Sequence, residues 1–305
     1  MLRVIGLVLL ASACIAGGAH AQVVDVPRPY AIPLPPMSNP EPQWDLGIRY
    51  WYSEGSSTLT SEDLDGNSLE FVFGVRNETR TFFKGFVGGG WLEDRADVSL
   101  MDFSSDLAGD GMVYGTMDVG QDFKLLDTGT RVVFSPFVGF NYWEETLDAF
   151  GARCETGSVG GVPCRPGSLL IPFSEQSASG EVSWSSLRLG AELTAKFWDR
   201  LTLRADAAIL PVAYLSTDVR NLVPRYYPAP GATAEATGDS GPGWGYQLEG
   251  EIRLDVTDHW AFGAGVRYWY AETNSYTDLG LTDVRDFSSD RFGVFGNATY
   301  RFNTY

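Results

Sequence analysis

Apolar and polar side chains alternate along ten segments of the chain. In residues 184–197, apolar side chains such as Leu187 and Leu189 take every second position. Charged side chains such as Arg188 and Glu192 take positions of the other parity. Because successive side chains of a β-strand point to opposite faces, this period of two predicts strands with one apolar and one polar face.

The ten predicted strands are joined by connections that alternate in length. The strands are predicted at residues 44–53, 69–76, 82–92, 112–123, 131–144, 184–197, 201–215, 243–256, 261–271 and 291–302. Short connections are predicted at 77–81, 124–130, 198–200 and 257–260, and long ones at 54–68, 93–111, 145–183, 216–242 and 272–290. An even number of strands with short turns at one end and long loops at the other is typical of an antiparallel up-and-down barrel.

A phrase of the form Gly-x-Arg/Asn-Tyr-Trp occurs three times, at residues 47–54, 139–146 and 265–272. Each copy ends a predicted strand just before a long connection. The tyrosines of one parity are expected to face lipid as an aromatic girdle, and they are Tyr50, Tyr52, Tyr142, Tyr268 and Tyr270. The tryptophans of the other parity are expected to fill the mouth of the barrel, with sugar stacking as an alternative role, and they are Trp51, Trp143 and Trp269.

Alternation alone would also fit a soluble β-sandwich. The segments at the two ends of the chain help to distinguish a membrane barrel from a sandwich. Residues 1–21 have a short basic start, an apolar run and Ala19-His20-Ala21, which predicts a cleaved signal peptide. Cys14 loosely matches a lipoprotein cleavage site, and the sequence around it favours the ordinary signal peptide. Residues 22–43 are rich in proline and are expected to form an extended periplasmic leader.

The last predicted strand, 291–302, resembles the C-terminal assembly signal of outer-membrane proteins, with alternating apolar residues that end on Phe302. Residues 44–305 are predicted as the barrel, and over 44–302 the chain resembles the bacterial outer-membrane β-barrel family. The resemblance implies an all-β transmembrane barrel, delivered to the Gram-negative outer membrane by the barrel-assembly machinery. Lipid and lipopolysaccharide are the expected surroundings, the barrel is expected to be monomeric, and the ten-stranded count resembles the omptin architecture.

The charge and the cysteine content of the chain limit its expected binding partners and bonding. The chain carries 22 Lys and Arg against 39 Asp and Glu, a formal net charge of −17, so a nucleic-acid partner is not expected. The acidic excess suits solvated loops or the attraction of cations. Cys154 and Cys164 lie in a Gly- and Pro-rich stretch of an exported chain and are predicted to form a loop disulfide.

Catalytic residues of the known outer-membrane barrel enzymes are not recognisable. The omptins and the related lipid hydrolases resemble one another in placing a histidine near a serine or carboxylate at the outer rim. Here His259, beside Asp258, falls in a predicted tight turn at the other end. Arg220, two residues after Asp218, occupies the rim position where an omptin has its histidine, and an arginine cannot act as a base. The sequence therefore predicts a protein that is not an enzyme.

One weak metal motif lies in the first long connection. Asp63, Asp65 and Asn67 are spaced like the first ligands of a calcium loop, but the glycine and glutamate of an EF-hand are missing. A loosely bound Ca²⁺ is therefore an alternative to a solvated acidic turn, and no other cofactor is expected.

Charged residues of both signs are predicted on the inward face. They are Arg49, Glu70, Arg188, Glu192, Arg204, Asp206, Glu249, Glu251, Arg253 and Arg267. Ion pairs that fill the interior would give a closed scaffold that displays its loops, because isolated buried charges are too costly. Since ten strands enclose little space, the alternative is a narrow, porin-like channel for small solutes or cations.

Overall fold

The computed structural model describes residues 42–57, 60–93, 97–100, 103–128, 130–154, 157–159, 162–198, 200–222, 236–273, 277–278, 283–284 and 287–302. The predicted signal peptide and almost all of the predicted leader lie outside these residues. Among the residues described, no helix is long and apolar enough to cross a membrane.

Ten long antiparallel strands form a closed ring. They are β1 (Gln43–Ser57), β2 (Thr60–Arg76), β3 (Thr81–Glu93), β4 (Phe103–Gln121), β5 (Thr130–Cys154), β6 (Leu169–Phe197), β7 (Leu201–Asn221), β8 (Ala236–Asp255), β9 (Trp260–Thr273) and β10 (Ser288–Phe302). Each strand pairs with its neighbours in sequence, and β10 pairs with β1 from Trp44 opposite Phe302 to Ser57 opposite Ser289. The predicted all-β, up-and-down barrel of ten strands is confirmed.

Among the described residues, two short strands extend the ring and four more form two separate ribbons. Asp97–Leu100 pairs with β4, and Phe123–Thr128 pairs with β5. Two small ribbons join Ser158–Val159 to Val162–Pro163 and Thr277–Asp278 to Asp283–Val284.

The two ends of the barrel differ. At one end, which we call the turn end, β2 and β3 are joined by residues 77–80, β6 and β7 by 198–200, and β8 and β9 by 256–259. At the other, which we call the hairpin end, strands run further than the sequence predicts. The predicted strand end at residue 144 is wrong, because β5 continues to Cys154, and β6 begins at Leu169 rather than at residue 184.

The outer surface of the barrel is apolar between the two ends. Many large apolar side chains on this surface are about half exposed, among them Ile48, Leu69, Val87, Val113, Leu189, Ile209, Ile252, Val266 and Val294. Exposed aromatic side chains border this belt, with Trp44, Trp260 and Phe302 toward the turn end and Tyr50, Trp91 and Trp244 toward the hairpin end. An apolar band between two aromatic girdles is the surface of a barrel that sits in a lipid bilayer.

The pattern of inward and outward side chains reverses above the belt. Beyond Trp143, β5 buries Leu147 and Ala149 and turns Thr146 and Asp148 outward. Apolar side chains inside and polar ones outside are the arrangement of a β-structure in water. The hairpin end therefore projects from the apolar belt as a water-facing extension, and its buried Leu147 and Ala149 continue the core that contains Trp143.

A disulfide joins Cys154 at the end of β5 to Cys164 in the following connection, with the two Cα atoms 6.2 Å apart. Cys154 is buried and packs with Ala152 and Ile171 of the hairpin. The predicted disulfide is confirmed, and it ties the connection to the longest hairpin of the barrel.

Candidate functional site

Four aromatic side chains meet inside the barrel near the base of the hairpin end. We call Trp51 of β1, Tyr114 of β4, Trp143 of β5 and Trp269 of β9 the aromatic plug. The ring centroids of Trp143 and Trp269 are 4.7 Å apart, and those of Tyr114 and Trp143 are 5.0 Å apart. Tyr114 and Trp269 stand on opposite sides of the ring of ten strands, yet their centroids are only 5.4 Å apart. The plug therefore spans the lumen.

A first ion-pair cluster lies directly beneath the plug, where Tyr114 Oη donates to Glu70 Oε1 at 2.7 Å. Arg267 Nη1 lies 2.6 Å from Glu70 Oε1, and its Nη2 lies 2.8 Å from Glu249 Oε2. Arg49 Nη1 lies 3.1 Å from Glu249 and 3.4 Å from Glu70. Arg204 Nη2 completes the cluster at 2.6 Å from Glu249 Oε1.

A second ion-pair cluster crosses another part of the lumen. Lys84 Nζ of β3 lies 2.5 Å from Glu192 Oε2 of β6 and 2.7 Å from Asp206 Oδ2 of β7. Arg188 pairs with Asp118 and lies 3.3 Å from Asp206. The three arginines of the first cluster face Glu70 and Glu249 within it and Glu251 beside it, 2.8 Å from Arg204, whereas the second cluster has one anion in excess. Buried charges that neutralise one another avoid most of the cost of burial.

Phenylalanine rings line the same interior and support the cations. The guanidinium carbon of Arg267 lies 4.3 Å from the centroid of Phe86, and that of Arg49 lies 4.3 Å from the centroid of Phe295. Lys84 Nζ lies 4.8 Å from the centroid of Phe137. Cations over aromatic faces are favourable where water is excluded, so these contacts stabilise the network further.

Further ion pairs lie at both ends of the lumen. Toward the hairpin end, Arg291 Nη2 lies 2.7 Å from Glu145 Oε1. Toward the turn end, paired side chains are Arg76 with Asp122, Lys196 with Asp255, and Arg301 with Asp45. The described interior is thus lined by paired charges along most of its length.

The structure places all ten predicted lumen residues on the inward face. Eight of them belong to the two clusters, while Glu251 accepts from Arg204 and Asn297, and Arg253 lies 3.6 Å from Asp255. Sequence reasoning missed Lys84, Glu145 and Arg291. Lys84 shares its strand face with Phe82 and Phe86, and large aromatic side chains are typical of a face that contacts lipid. Glu145 and Arg291 stand at or beyond the predicted strand ends.

The outer aromatic girdle is hydrogen-bonded to a set of carboxylates. Trp91 Nε1 donates to Glu93 at 3.0 Å, and Trp244 Nε1 donates to Glu272 at 2.6 Å. The hydroxyls of Tyr142 and Tyr270 donate to Glu144 and Glu272. In three of these pairs the carboxylate follows its aromatic residue by two positions on the same face. This spacing puts a charged group just above each ring and so marks the level at which the apolar belt ends.

The residues considered for catalysis are engaged elsewhere. His259 lies at the turn end, where its ring stacks on Tyr300 with centroids 5.5 Å apart and its Nδ1 lies 3.0 Å from the carbonyl oxygen of Arg301. Arg220 Nη2 lies 3.3 Å from Asp218 Oδ2 on the same strand. Glu181 of β6 is the strand partner of Asp218, so the Asp218–Arg220 pair lies beside a further carboxylate, whereas His259 lies at the opposite end of the barrel.

The predicted calcium ligands lie on β2 rather than in an open loop. Asp65 and Asn67 share the strand face of the exposed Leu69, Asp65 is buried, and Asn67 Oδ1 accepts a hydrogen bond from Tyr50 at 2.5 Å. The side chain of Asp63 lies outside the described residues. Among the side chains that are described, no group of three or more His, Cys, Asp or Glu could hold a metal ion. The calcium site stays a prediction.

The closed ring, the apolar belt and the polar interior define the fold of a ten-stranded outer-membrane β-barrel. The outer membrane protease OmpT from Escherichia coli has a similar structure, with a TM-score of 0.58 and 9% identity over 87% of this chain and 98% of OmpT. The toluene transporter TodX from Pseudomonas putida also matches, with a TM-score of 0.36 and 12% identity over 88% of this chain and 93% of TodX. No protein-family model and no curated protein sequence matches the chain. The likeness to OmpT shows the omptin-like architecture and leaves the role of this barrel open.

Proposed function

We propose that the protein is a non-enzymatic barrel of the bacterial outer membrane with a closed interior, which presents its hairpin end at the cell surface. One observation carries the closed interior, namely the contact of the four plug rings across the lumen. The two ion-pair clusters beneath them add a second barrier, because each ion pair would have to open before a solute could pass. These contacts favour a scaffold over a narrow pore.

The shape of the hairpin end supports display at the surface. Its strands bury apolar side chains and turn polar ones outward, and its longest hairpin is tied by the Cys154–Cys164 disulfide. A disulfide is favoured in an oxidising compartment and limits the motion of an exposed hairpin. These features suit a stable structure outside the cell.

The barrel surface supports lipid as its main partner. Its apolar belt and girdles fit the hydrocarbon core and its two interfaces. One chain closes the ring through the β1–β10 pairing, so a monomer is sufficient. The C-terminal strand β10, whose pairing with β1 closes the ring, is a suitable contact for the barrel-assembly machinery.

The engagement of His259 and Arg220 supports a role without catalysis. A general base must be within reach of the proton that it removes, and His259 lies at the end of the barrel opposite the rim. The ring stacking and the backbone contact of His259 explain it as part of the turn end.

Cysteine labelling tests the surface display. Ser174→Cys places a thiol on the exposed part of β6, and Asp258→Cys places one in the turn between β8 and β9. A maleimide on a polymer too large to cross the outer membrane should label Ser174→Cys on intact cells. It should label Asp258→Cys only after the outer membrane is permeabilised.

The wild-type protein is the control for this labelling, because both of its described cysteines are in the disulfide. Labelling of Asp258→Cys on intact cells, with Ser174→Cys protected, would reverse the proposed orientation. A closed interior also requires that the wild-type barrel carry no steady ion current across a bilayer.

A further inference from the structure

Three buried polar side chains converge on a small cavity beside the aromatic plug. Trp184 and Ser186 of β6 and Gln247 of β8 are only 2%, 1% and 3% exposed. Trp184 Nε1, Ser186 Oγ and Gln247 Oε1 have no hydrogen-bond partner in the part of the chain that the structure describes. All three residues line the same cavity of about 30 Å³. Because a buried polar atom without a partner costs free energy, three of them at one cavity indicate that a small polar molecule binds there.

The three atoms differ in what they can accept or donate. The indole nitrogen of Trp184 only donates, the amide oxygen of Gln247 only accepts, and the Ser186 hydroxyl can do both. The amide of Gln247 is held in place, since its Nε2 donates to Asn141 Oδ1 at 3.0 Å. A hydroxyl group is the simplest partner for this set, because it both donates and accepts.

The charge around the cavity favours a neutral ligand. Arg291 is the only charged residue among the described residues that line it. Its guanidinium is already bound by Glu145 at 2.7 Å and by Ser53 at 3.3 Å. The lining therefore offers no free charge to balance an ionic ligand. Such a ligand would lose its hydration and be buried without a counter-ion, which is costly.

The walls and the volume of the cavity further restrict which ligands can fit it. Trp143 and Trp269 contribute indole surfaces to the lining, and such surfaces pack well against C–H groups. A volume of about 30 Å³ has room for roughly two water-sized groups, which matches a hydroxyl and the carbon that carries it.

We propose that this cavity binds the CH–OH group of a neutral hydroxylated ligand, either a small polyol or the hydroxymethyl end of a sugar. The Trp184 indole N–H donates to the ligand oxygen, and the Gln247 amide oxygen accepts its hydrogen. The Ser186 hydroxyl makes the third contact. This site does not depend on a closed lumen, since a barrel that conducts ions could hold the same ligand.

Ligand-detected saturation-transfer NMR on the full-length barrel in an amine-oxide detergent tests the proposal. The probes are glycerol, D-glucose, and 6-deoxy-D-glucose, which lacks the hydroxyl of the hydroxymethyl group. We expect saturable binding of glycerol or D-glucose. Preference for D-glucose over both other probes identifies a sugar end, and preference for glycerol identifies a free polyol.

Two variants and a control make the result specific. Gln247→Leu and Trp184→Phe each remove one hydrogen-bonding atom and should weaken binding about tenfold. Thr116→Val changes a buried polar residue that does not line the cavity and should bind as the wild type does. Heat-dependent gel mobility shows that each variant is folded. The proposal is overturned if folded wild-type protein binds neither glycerol nor D-glucose saturably, or if both cavity variants leave the binding unchanged.

Discussion

Replacing Arg267 with alanine should lower the free energy of unfolding of the barrel by about 3–5 kcal/mol. Arg267 is fully buried and pairs with both Glu70 and Glu249, so its loss leaves two carboxylates short of a partner in the interior. Removing one partner of a buried ion pair is costly because the remaining charge stays out of water. Reversible denaturation of the barrel in lipid vesicles, followed by tryptophan fluorescence, measures the change.

Arg165→Ala is the matched control for Arg267→Ala. Arg165 is exposed in the connection between β5 and β6, and a surface change of this kind should stay within about 0.5 kcal/mol of the wild type. Adding Glu70→Gln to Arg267→Ala should recover part of the loss, because it removes one of the two carboxylates that Arg267 had neutralised. Equal stability of Arg267→Ala and Arg165→Ala would show that the first ion-pair cluster is solvated rather than buried.

Replacing Trp51 with alanine should have a comparable effect, about 3–5 kcal/mol, through lost packing instead of charge. Trp51 is 0% exposed, and its ring centroid lies 5.4 Å from those of Tyr114 and Trp269. The same denaturation experiment measures the loss. The substitution leaves a cavity at the centre of the plug that its neighbours can only partly fill.

Trp44 on the same strand provides the comparison for Trp51. It is 47% exposed on the outer surface, so Trp44→Ala removes a lipid contact and leaves the interior packed. We expect a clearly smaller loss for Trp44→Ala than for Trp51→Ala. If the two losses were the same, the plug rings would not form a packed core.

The fold was largely predictable because lipid imposes a simple pattern. In residues 184–197 every second side chain faces hydrocarbon, so the alternation is written directly in the sequence. The strand ends were not predictable from the same signal. Beyond Trp143 the chain faces water, and residues such as Thr146 and Asp148 lose the lipid-facing pattern while the backbone pairing continues to Cys154.

The interior was predictable in composition and only partly in detail. Parity assigns Arg49 and Glu249 to the lumen, but it does not give the pairing across the barrel, which depends on strand tilt and register. Lys84 was not assigned to the lumen because Phe82 and Phe86 share its strand face, and aromatic side chains on a strand are typical of a face that contacts lipid. The place of Tyr114 in the aromatic plug was not predicted, because a single tyrosine in a strand does not show that three tryptophans from other strands contact it.

Single-channel recording of the purified barrel in planar bilayers tests the closed interior most directly. A general porin inserted from the same detergent serves as the positive control, and heat-dependent gel mobility shows that the sample is folded. The aromatic plug and the ion-pair clusters predict no steady conductance from the wild-type protein. A steady conductance that falls when Glu249→Gln and Glu251→Gln are introduced would contradict the closed interior and establish the narrow pore.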